Sequence, residues 1–166
     1  KFKSDYSNIT KTTPITEVNT DNIKPLTLGS KVENISLTST SGKIVSLYDL
    51  NTAYVLIDFW ASWCGPCRRE TANILKIENK LKNDLTVYAI TIDQDDNAWK
   101  EAIWLDKSSE LTHVTINNSE HKSAILKLFD IQRIPMNFLI DKDRKIIAVN
   151  LRGEALEKKL KELAGK

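Results

Sequence analysis

The chain has 166 residues, of which 41% are hydrophobic and 28% are charged, and its formal net charge is +2. This length suits one compact domain with a short tail. The charge is small and its two signs are interspersed, which argues against nucleic acid or an anionic membrane as a partner. No apolar run approaches the roughly 20 residues that cross a bilayer. The first residue is Lys1 rather than Met, so we expect a processed or trimmed form, and a missing leader says little about compartment.

The N-terminal segment differs in composition from the rest of the chain. Residues 1–25 are rich in Thr, Asn, Ser and Lys and show no sustained hydrophobic period. We predict a tether or tail here, or the end of an upstream domain, followed by a single domain over residues 26–166.

Alternating strands and helices are predicted from residue 26 onward. Apolar runs predict buried strands, and apolar residues three or four apart predict helices. The predicted elements are, in chain order, a hairpin of "VENISL" and "KIVSL", a strand at 54–60, a helix at 65–82, a strand at 85–92, helices at 97–105 and 123–129, a hairpin of "MNFLI" and "KIIAV", and a helix at 154–164.

This order predicts an α/β fold in which helices cover both faces of a mixed β-sheet. The hairpin of "VENISL" and "KIVSL" lies at the N-terminal end of the domain. Residues 94–128 are interpreted as a long helical insert before the closing hairpin.

Both cysteines of the chain lie in one motif, "FWASWCGPCRRE" at residues 59–70. A strand that ends at Trp60 and a helix that starts near Gly65 place Cys64 at the helix N-terminus. Unpaired N–H groups and the helix dipole favour a thiolate there, so we expect a lowered pKa for the Cys64 thiol. Pro66 suits the first helical turn. Cys67 lies one turn on, within reach of Cys64.

This geometry predicts thiol–disulfide exchange. Cys64 is expected to be exposed and to attack a disulfide, and the more buried Cys67 is expected to resolve the mixed disulfide. One alternative is an inert bridge that only staples the helix. A second is zinc bound by the cysteines with His113 and His121. The seven residues between the two histidines are a poor match to zinc-finger spacing, and ordinary polar positions are favoured for both.

The motif carries a resemblance to a known family. "VLIDFWASWCGPC" resembles the active-site segment of the thioredoxin superfamily, and "RIPMNFLIDKDRKIIAVNLRG" resembles its second landmark, an Ile-Pro before the closing hairpin. "LGSKVENISLTSTSGKIVSLYDL" and the long insert resemble the TlpA/ResA-like branch, the thiol–disulfide oxidoreductases of the bacterial cell envelope. The resemblance implies a thioredoxin-like fold from about residue 26 to the C-terminus.

The resemblance also implies roles for individual residues. The family's nucleophile, resolving cysteine and cis-proline correspond to Cys64, Cys67 and Pro135, whereas its buried carboxylate corresponds to Asp58. Substrate binding is expected from the exposed Trp63 ring, from Gly65 and Pro66, and from the backbone edge of Ile134.

The chain departs from the family pattern beside Asp58. Thioredoxins carry a lysine near position 89, where this chain has Ala89, and ResA-like proteins carry a glutamate near position 94, where it has Gln94 next to Asp93. We therefore expect a buried Asp58 without a cationic partner, with a raised pKa, which accepts the Cys67 proton. An Asp58 that is only structural is the alternative.

For three further groups of side chains, a structural role is favoured over a functional one. We expect Trp99 and Trp104 to lie in the core rather than to line a partner groove. Arg68 and Arg69 are expected to face solvent, although support of a thiolate stays open. The acidic residues Asp93, Asp95 and Asp96 are expected to be loop or helix-start residues.

The predicted function is that of a thiol–disulfide oxidoreductase, with reduction of protein disulfides as the favoured direction. The alternatives are a thiol peroxidase, against which Ala61 stands at the expected threonine position, and a non-catalytic metal-chaperone or adaptor module. We expect no cofactor other than the redox-active Cys64–Cys67 disulfide and no metal. The expected partners are protein disulfides or dithiols and a membrane electron donor, with no nucleic acid. A monomer in the cell envelope or periplasm, tethered through its N-terminus to a membrane or lipid, is the expected setting.

Overall fold

A computed structural model describes residues 23–117, 119, 121–163 and 165. The predicted tail of residues 1–25 therefore lies, except for 23–25, outside the described residues. The elements are β1 (Ser36–Ser39), β2 (Ile44–Ser46), a 3₁₀ turn (Leu47–Asp49), β3 (Tyr54–Trp60), α1 (Gly65–Lys80), β4 (Leu85–Thr91), α2 (Asp96–Leu105), β5 (Thr112–Thr115), α3 (Lys122–Leu128), β6 (Met136–Ile140), β7 (Ile146–Val149) and α4 (Gly153–Leu163).

In the described part of the chain, seven strands form one mixed sheet in the order β2-β1-β5-β4-β3-β6-β7. β3 is parallel to β4 and antiparallel to β6, and β4 is parallel to β5. The two long apolar runs of the sequence are thus neighbours at the centre, where both faces of a strand are covered. The α/β fold with a mixed sheet and helices on both faces is confirmed, as is the N-terminal hairpin of β1 and β2. Gly42 has a φ of +81° in the turn of this hairpin, a conformation that glycine adopts without strain.

The core has two layers, one on each side of the sheet. Buried side chains of α1, α2 and α4 pack on the face that contains Leu56 and Trp60 of β3. On the opposite face, which contains Val55, Ile57 and Phe59, the packing residues come from the N-terminal hairpin region and from α3. The alternation of β3 side chains therefore decides which of its residues meet α1.

The segment 94–128 differs from its predicted form, because it contains a strand between its helices. β5 pairs with β1 and β4, and so lies inside the sheet. Its sequence, "THVT", is short and largely polar, and the two neighbouring strands rather than its own composition determine its conformation.

The tryptophans of α2 separate, which corrects one of the two core assignments. Trp99 is 1% exposed, as predicted, but Trp104 is 76% exposed. Trp99 and Ile103 are four residues apart and therefore lie on the same, buried face of α2. Trp104 is one residue further along the helix and lies on a different face. None of the helices in the described part of the chain is long and apolar enough to span a membrane.

Candidate active site

The two cysteines lie where β3 gives way to α1, as the sequence predicts. β3 ends at Trp60, and Cys64 is the N-cap of α1, with Pro66 in its first turn. The Sγ atom of Cys64 accepts a hydrogen bond from the backbone N–H of Cys67 at 3.2 Å. Cys64 and Cys67 are joined by a disulfide. The helix N-terminus thus directs an N–H group and its positive end at the first sulfur.

The exposure of Cys64 corrects the sequence prediction. Cys64 is only 6% exposed and Cys67 is 2% exposed, so both cysteines are buried. Both belong to the apolar cluster that contains Trp60 and Ala61, and this packing covers the disulfide. Cys64 is still the more exposed of the two residues, which is the order that attack by Cys64 and resolution by Cys67 require.

The residues expected to meet substrate lie at the surface or next to the cysteines. Trp63 is 68% exposed, and Gly65 and Pro66 are exposed beside it. The Ile134–Pro135 peptide bond is cis, as the resemblance implies. Ile134 is half-buried and packs against the cluster that contains both cysteines, whereas Pro135 is buried.

Asp58 lies on the face of β3 that meets α1. It is 4% exposed and stands in register with Ala89 on β4 and with Asn137 on β6. Its Oδ1 atom is buried and has no hydrogen-bond partner among the described residues. Burial, reinforced by the charge of Glu70 and opposed by that of Arg152, raises the pKa of Asp58 from 3.8 to about 8. The predicted burial of Asp58 is confirmed, and Ala89 is its neighbour on β4.

The surroundings of Asp58 include three residues that the sequence analysis missed. The side-chain amide of Asn137 donates to the carbonyl oxygen of Leu151 at 2.7 Å and accepts from the Leu151 N–H at 3.0 Å. Glu70 of α1 accepts a hydrogen bond from the N–H of Gly153 at 2.9 Å. Arg152 donates from Nη2 to the carbonyl oxygen of Pro135. Only their closeness to the two landmark motifs could have pointed to these residues, because the contacts join distant parts of the chain.

Asp93 is buried at the end of β4 and fastens the loop before Cys64. Its carboxylate accepts hydrogen bonds from the Ser62 N–H at 2.8 Å, from the Ser62 hydroxyl at 2.6 Å and from the Thr91 hydroxyl at 2.6 Å. Asp95 is the N-cap of α2, which is the helix-start role expected of these acids. Asp93 therefore positions the loop that carries Trp63 and Cys64.

Arg68 and Arg69 differ in their surroundings. Arg68 makes two hydrogen bonds to the carboxylate of Asp106, at 2.6 and 2.8 Å, and its side chain is 32% exposed. Arg68 is therefore partly buried by its pair with Asp106, the C-cap residue of α2, which corrects the expectation that it faces solvent. Arg69 is exposed as expected.

His113 is a core residue rather than an ordinary polar one. It is 5% exposed on β5, its Nε2 atom lies 2.9 Å from the Ser108 carbonyl oxygen, and its ring centre lies 5.4 Å from that of Trp60. Burial, opposed by the Ser108 hydrogen bond, lowers the pKa of His113 to about 4. A position inside the sheet, which the sequence analysis did not predict, accounts for this burial.

Comparison with known proteins identifies relatives of the whole domain. The Redoxin family profile matches residues 27–164. The thiol-disulfide oxidoreductase ResA of Bacillus thuringiensis is 30% identical over 137 residues, which cover 81% of this chain and 75% of that protein.

Solved structures give the same result. The thioredoxin domain of a thiol-disulfide oxidoreductase from Bacteroides vulgatus has a TM-score of 0.77 and 34% identity, with 83% of this chain and 98% of that one covered. A thiol:disulfide interchange protein from Bacteroides sp. also has a TM-score of 0.77 and 34% identity, with 85% and 92% covered. With a linked cysteine pair at the start of α1 and these relatives, the chain belongs to the Redoxin family, among the TlpA/ResA-like thiol–disulfide oxidoreductases of the thioredoxin superfamily.

Proposed function

We propose that this oxidoreductase works as a reductase of protein disulfides, with Cys64 as the attacking sulfur and Cys67 as the resolving one. The observation that carries the proposal is the position of Cys64 as the N-cap of α1, where its Sγ accepts the Cys67 N–H. The same donor and the helix dipole stabilise negative charge on that sulfur once the disulfide is reduced.

The reaction proceeds in two exchanges. The Cys64 thiolate attacks one sulfur of a substrate disulfide, forms a mixed disulfide and expels the other substrate sulfur as a thiolate. The Cys67 thiol then loses its proton and attacks the Cys64 sulfur. The Cys64–Cys67 disulfide forms, the second substrate thiolate leaves, and the substrate has gained two electrons.

Asp58 is the proposed acceptor of the Cys67 proton. It faces α1 from the middle of β3, and its pKa of about 8 lets it exchange a proton near neutral pH. Asp93 is the poorer candidate, because three hydrogen bonds from Ser62 and Thr91 already occupy its carboxylate.

Substrate is proposed to bind on the exposed surface beside the disulfide. Trp63 offers a large aromatic face there, next to the exposed Gly65 and Pro66. The backbone at Ile134 offers an edge with which an extended substrate segment could pair in the manner of strand addition.

The reducing direction rests on the Gly-Pro pair between the cysteines and is tested by the redox potential. Reducing members of the thioredoxin class have potentials near about −270 mV, whereas strong oxidants lie near about −120 mV. Equilibration of the protein with glutathione buffers, read by alkylation and mass shift, should give a value near the reducing end. A value near the oxidising end would overturn the reductase assignment.

The ResA relatives, which are bacterial envelope-type oxidoreductases, support a proposal for the cellular setting. We propose a location in the bacterial cell envelope, with a membrane protein that returns electrons to the Cys64–Cys67 disulfide after each turnover. Cells that express a Cys67→Ser variant should accumulate mixed disulfides between Cys64 and the native substrates. Mass spectrometry of the trapped species would identify those substrates and their compartment, and trapping of cytoplasmic proteins alone would contradict the proposed location.

A further inference from the structure

The loop between β7 and α4 contacts both the cis-proline residue and the active-site helix α1. The Nη2 atom of Arg152 donates to the carbonyl oxygen of Pro135 and, at 2.6 Å, to the Oδ1 atom of Asn150. The next residue, Gly153, donates its N–H to Glu70 of α1 at 2.9 Å. The Arg152 guanidinium is thus bonded to the cis-proline residue, and the Glu70 carboxylate of α1 is bonded to the backbone of the residue that follows Arg152.

Among the described residues, these two charges shift the pKa of Asp58 in opposite directions. Its neighbours in the sheet, Ala89 on β4 and Asn137 on β6, carry no charge. Glu70 on α1 favours the protonated form of Asp58, and Arg152 favours the ionised form. In the described part of the chain, the charge balance at the buried carboxyl therefore depends on Glu70 and Arg152, and neither of them lies on β4.

We propose that Arg152 is a positioning residue for thiol–disulfide exchange, which holds the cis-proline loop by the Pro135 carbonyl and, balanced by Glu70, sets the pH at which Asp58 takes the proton of Cys67. This inference rests on the proposed role of Asp58. Arginine suits both tasks, since a guanidinium keeps its charge throughout the working pH range and offers several donors in one plane.

The two charges predict opposite effects on the resolving step. Arg152→Gln removes a positive charge while keeping a donor, so the midpoint of the pH profile should move upward. Glu70→Gln removes a negative charge, so the midpoint should move downward. Arg152→Lys keeps the charge, so its midpoint should match that of the wild type. Each shift should be about 0.5 to 1 pH unit, the scale of one charge acting through several ångströms of protein.

The experiment uses the reduced protein and an aromatic disulfide that releases a coloured thiolate at each exchange. Attack by Cys64 gives the first phase of colour and resolution by Cys67 gives the second, so one trace between about pH 6 and about pH 9 reports both steps. Below its midpoint, the second phase of Arg152→Gln should be about three- to tenfold slower than that of the wild type. Arg69→Gln is the matched control, because it removes an exposed positive charge from α1 and should leave the midpoint unchanged.

The outcomes distinguish a failure of this inference from a failure of the proposed role of Asp58. Midpoints that move up in Arg152→Gln and down in Glu70→Gln, with a wild-type midpoint in Arg152→Lys, support it. If Asp58→Asn removes the pH dependence of resolution but both charge variants keep the wild-type profile, or shift together, the inference is wrong and the role of Asp58 stands. If Asp58→Asn keeps the wild-type profile, the role of Asp58 fails and this inference fails with it. Should Arg152→Gln not fold, Glu70→Gln and Arg152→Lys still decide, since an unmoved midpoint in Glu70→Gln contradicts the proposed balance.

Discussion

Replacement of Asp58 by asparagine should stabilise the oxidised protein, and the gain should grow with pH. Burial, with Glu70 adding to it and Arg152 opposing it, raises the pKa of Asp58 from 3.8 to about 8 in the folded state. The folded protein therefore keeps a proton that the unfolded chain releases. Wild-type stability falls for this reason as the pH rises from about 4 to about 8. Asparagine resembles the protonated carboxyl in shape and does not titrate, so the variant loses this dependence.

The size of the effect follows from the two pKa values. Each pKa unit corresponds to about 1.4 kcal/mol, so the step from 3.8 to about 8 corresponds to about 6 kcal/mol. This limit is reached only above about pH 8. Between about pH 5 and about pH 7, both inside the sensitive range, the free energy of unfolding of Asp58→Asn should gain about 2 to 3 kcal/mol on that of the wild type.

Urea unfolding of the oxidised proteins at these two pH values measures the gain directly. Asp143→Asn is the control for the same chemical change, because Asp143 is exposed in the turn between β6 and β7. The contribution of His113 is common to variant and wild type and cancels in their difference. A difference between Asp58→Asn and wild type that stays constant within about 0.5 kcal/mol from about pH 5 to about pH 7 would refute the assignment of a raised pKa to Asp58.

Four further substitutions test the packing around the site. His113→Gln should remove a loss of stability that the wild type suffers as the pH falls from about 6.5 toward 4, because the folded pKa of His113 is lowered to about 4. As the pH falls from about 7 to about 5, the free energy of unfolding of the variant should rise by about 2 kcal/mol relative to that of the wild type, measured by thermal unfolding. An equal pH dependence of the two proteins would contradict the burial of His113 as a neutral ring. Asp106→Asn weakens the pair with Arg68 and should lower the free energy of unfolding by about 0.5 to 1 kcal/mol at low salt and by less at high salt; an unchanged value would show that the pair does not stabilise the fold. Trp104→Ala should destabilise by less than about 0.5 kcal/mol and Trp99→Ala by about 3 to 5 kcal/mol, whereas similar losses in urea unfolding would contradict their different exposure.

The elements that the sequence predicts well are those whose own residues determine their conformation. The runs at 54–60 and 85–92 are apolar because β3 and β4 are covered on both faces, so their composition reports their place in the sheet. The start of α1 is equally local, since Gly65, Pro66 and an N-cap Cys64 occupy consecutive positions.

The features that the sequence does not reveal depend on contacts between distant segments. β5 is a strand because β1 and β4 flank it, and His113 is buried for the same reason. Glu70 binds the backbone of Gly153 next to Arg152, and a separation of more than 80 residues along the chain hides this contact from any local pattern. The sequence alone does not reveal that Cys64 is buried, because its packing in one cluster with Trp60 and Ala61 arises only in the folded core.

The most direct test of the dithiol chemistry is to map the mixed disulfide formed in a single turnover with insulin. Reduced Cys67→Ser should accumulate a mixed disulfide whose protein sulfur is Cys64, the wild type should release reduced insulin without accumulating it, and Cys64→Ser should be inert. A mixed disulfide located at Cys67 in the wild type, or exchange by Cys64→Ser at the wild-type rate, would contradict the assignment of Cys64 as the attacking sulfur.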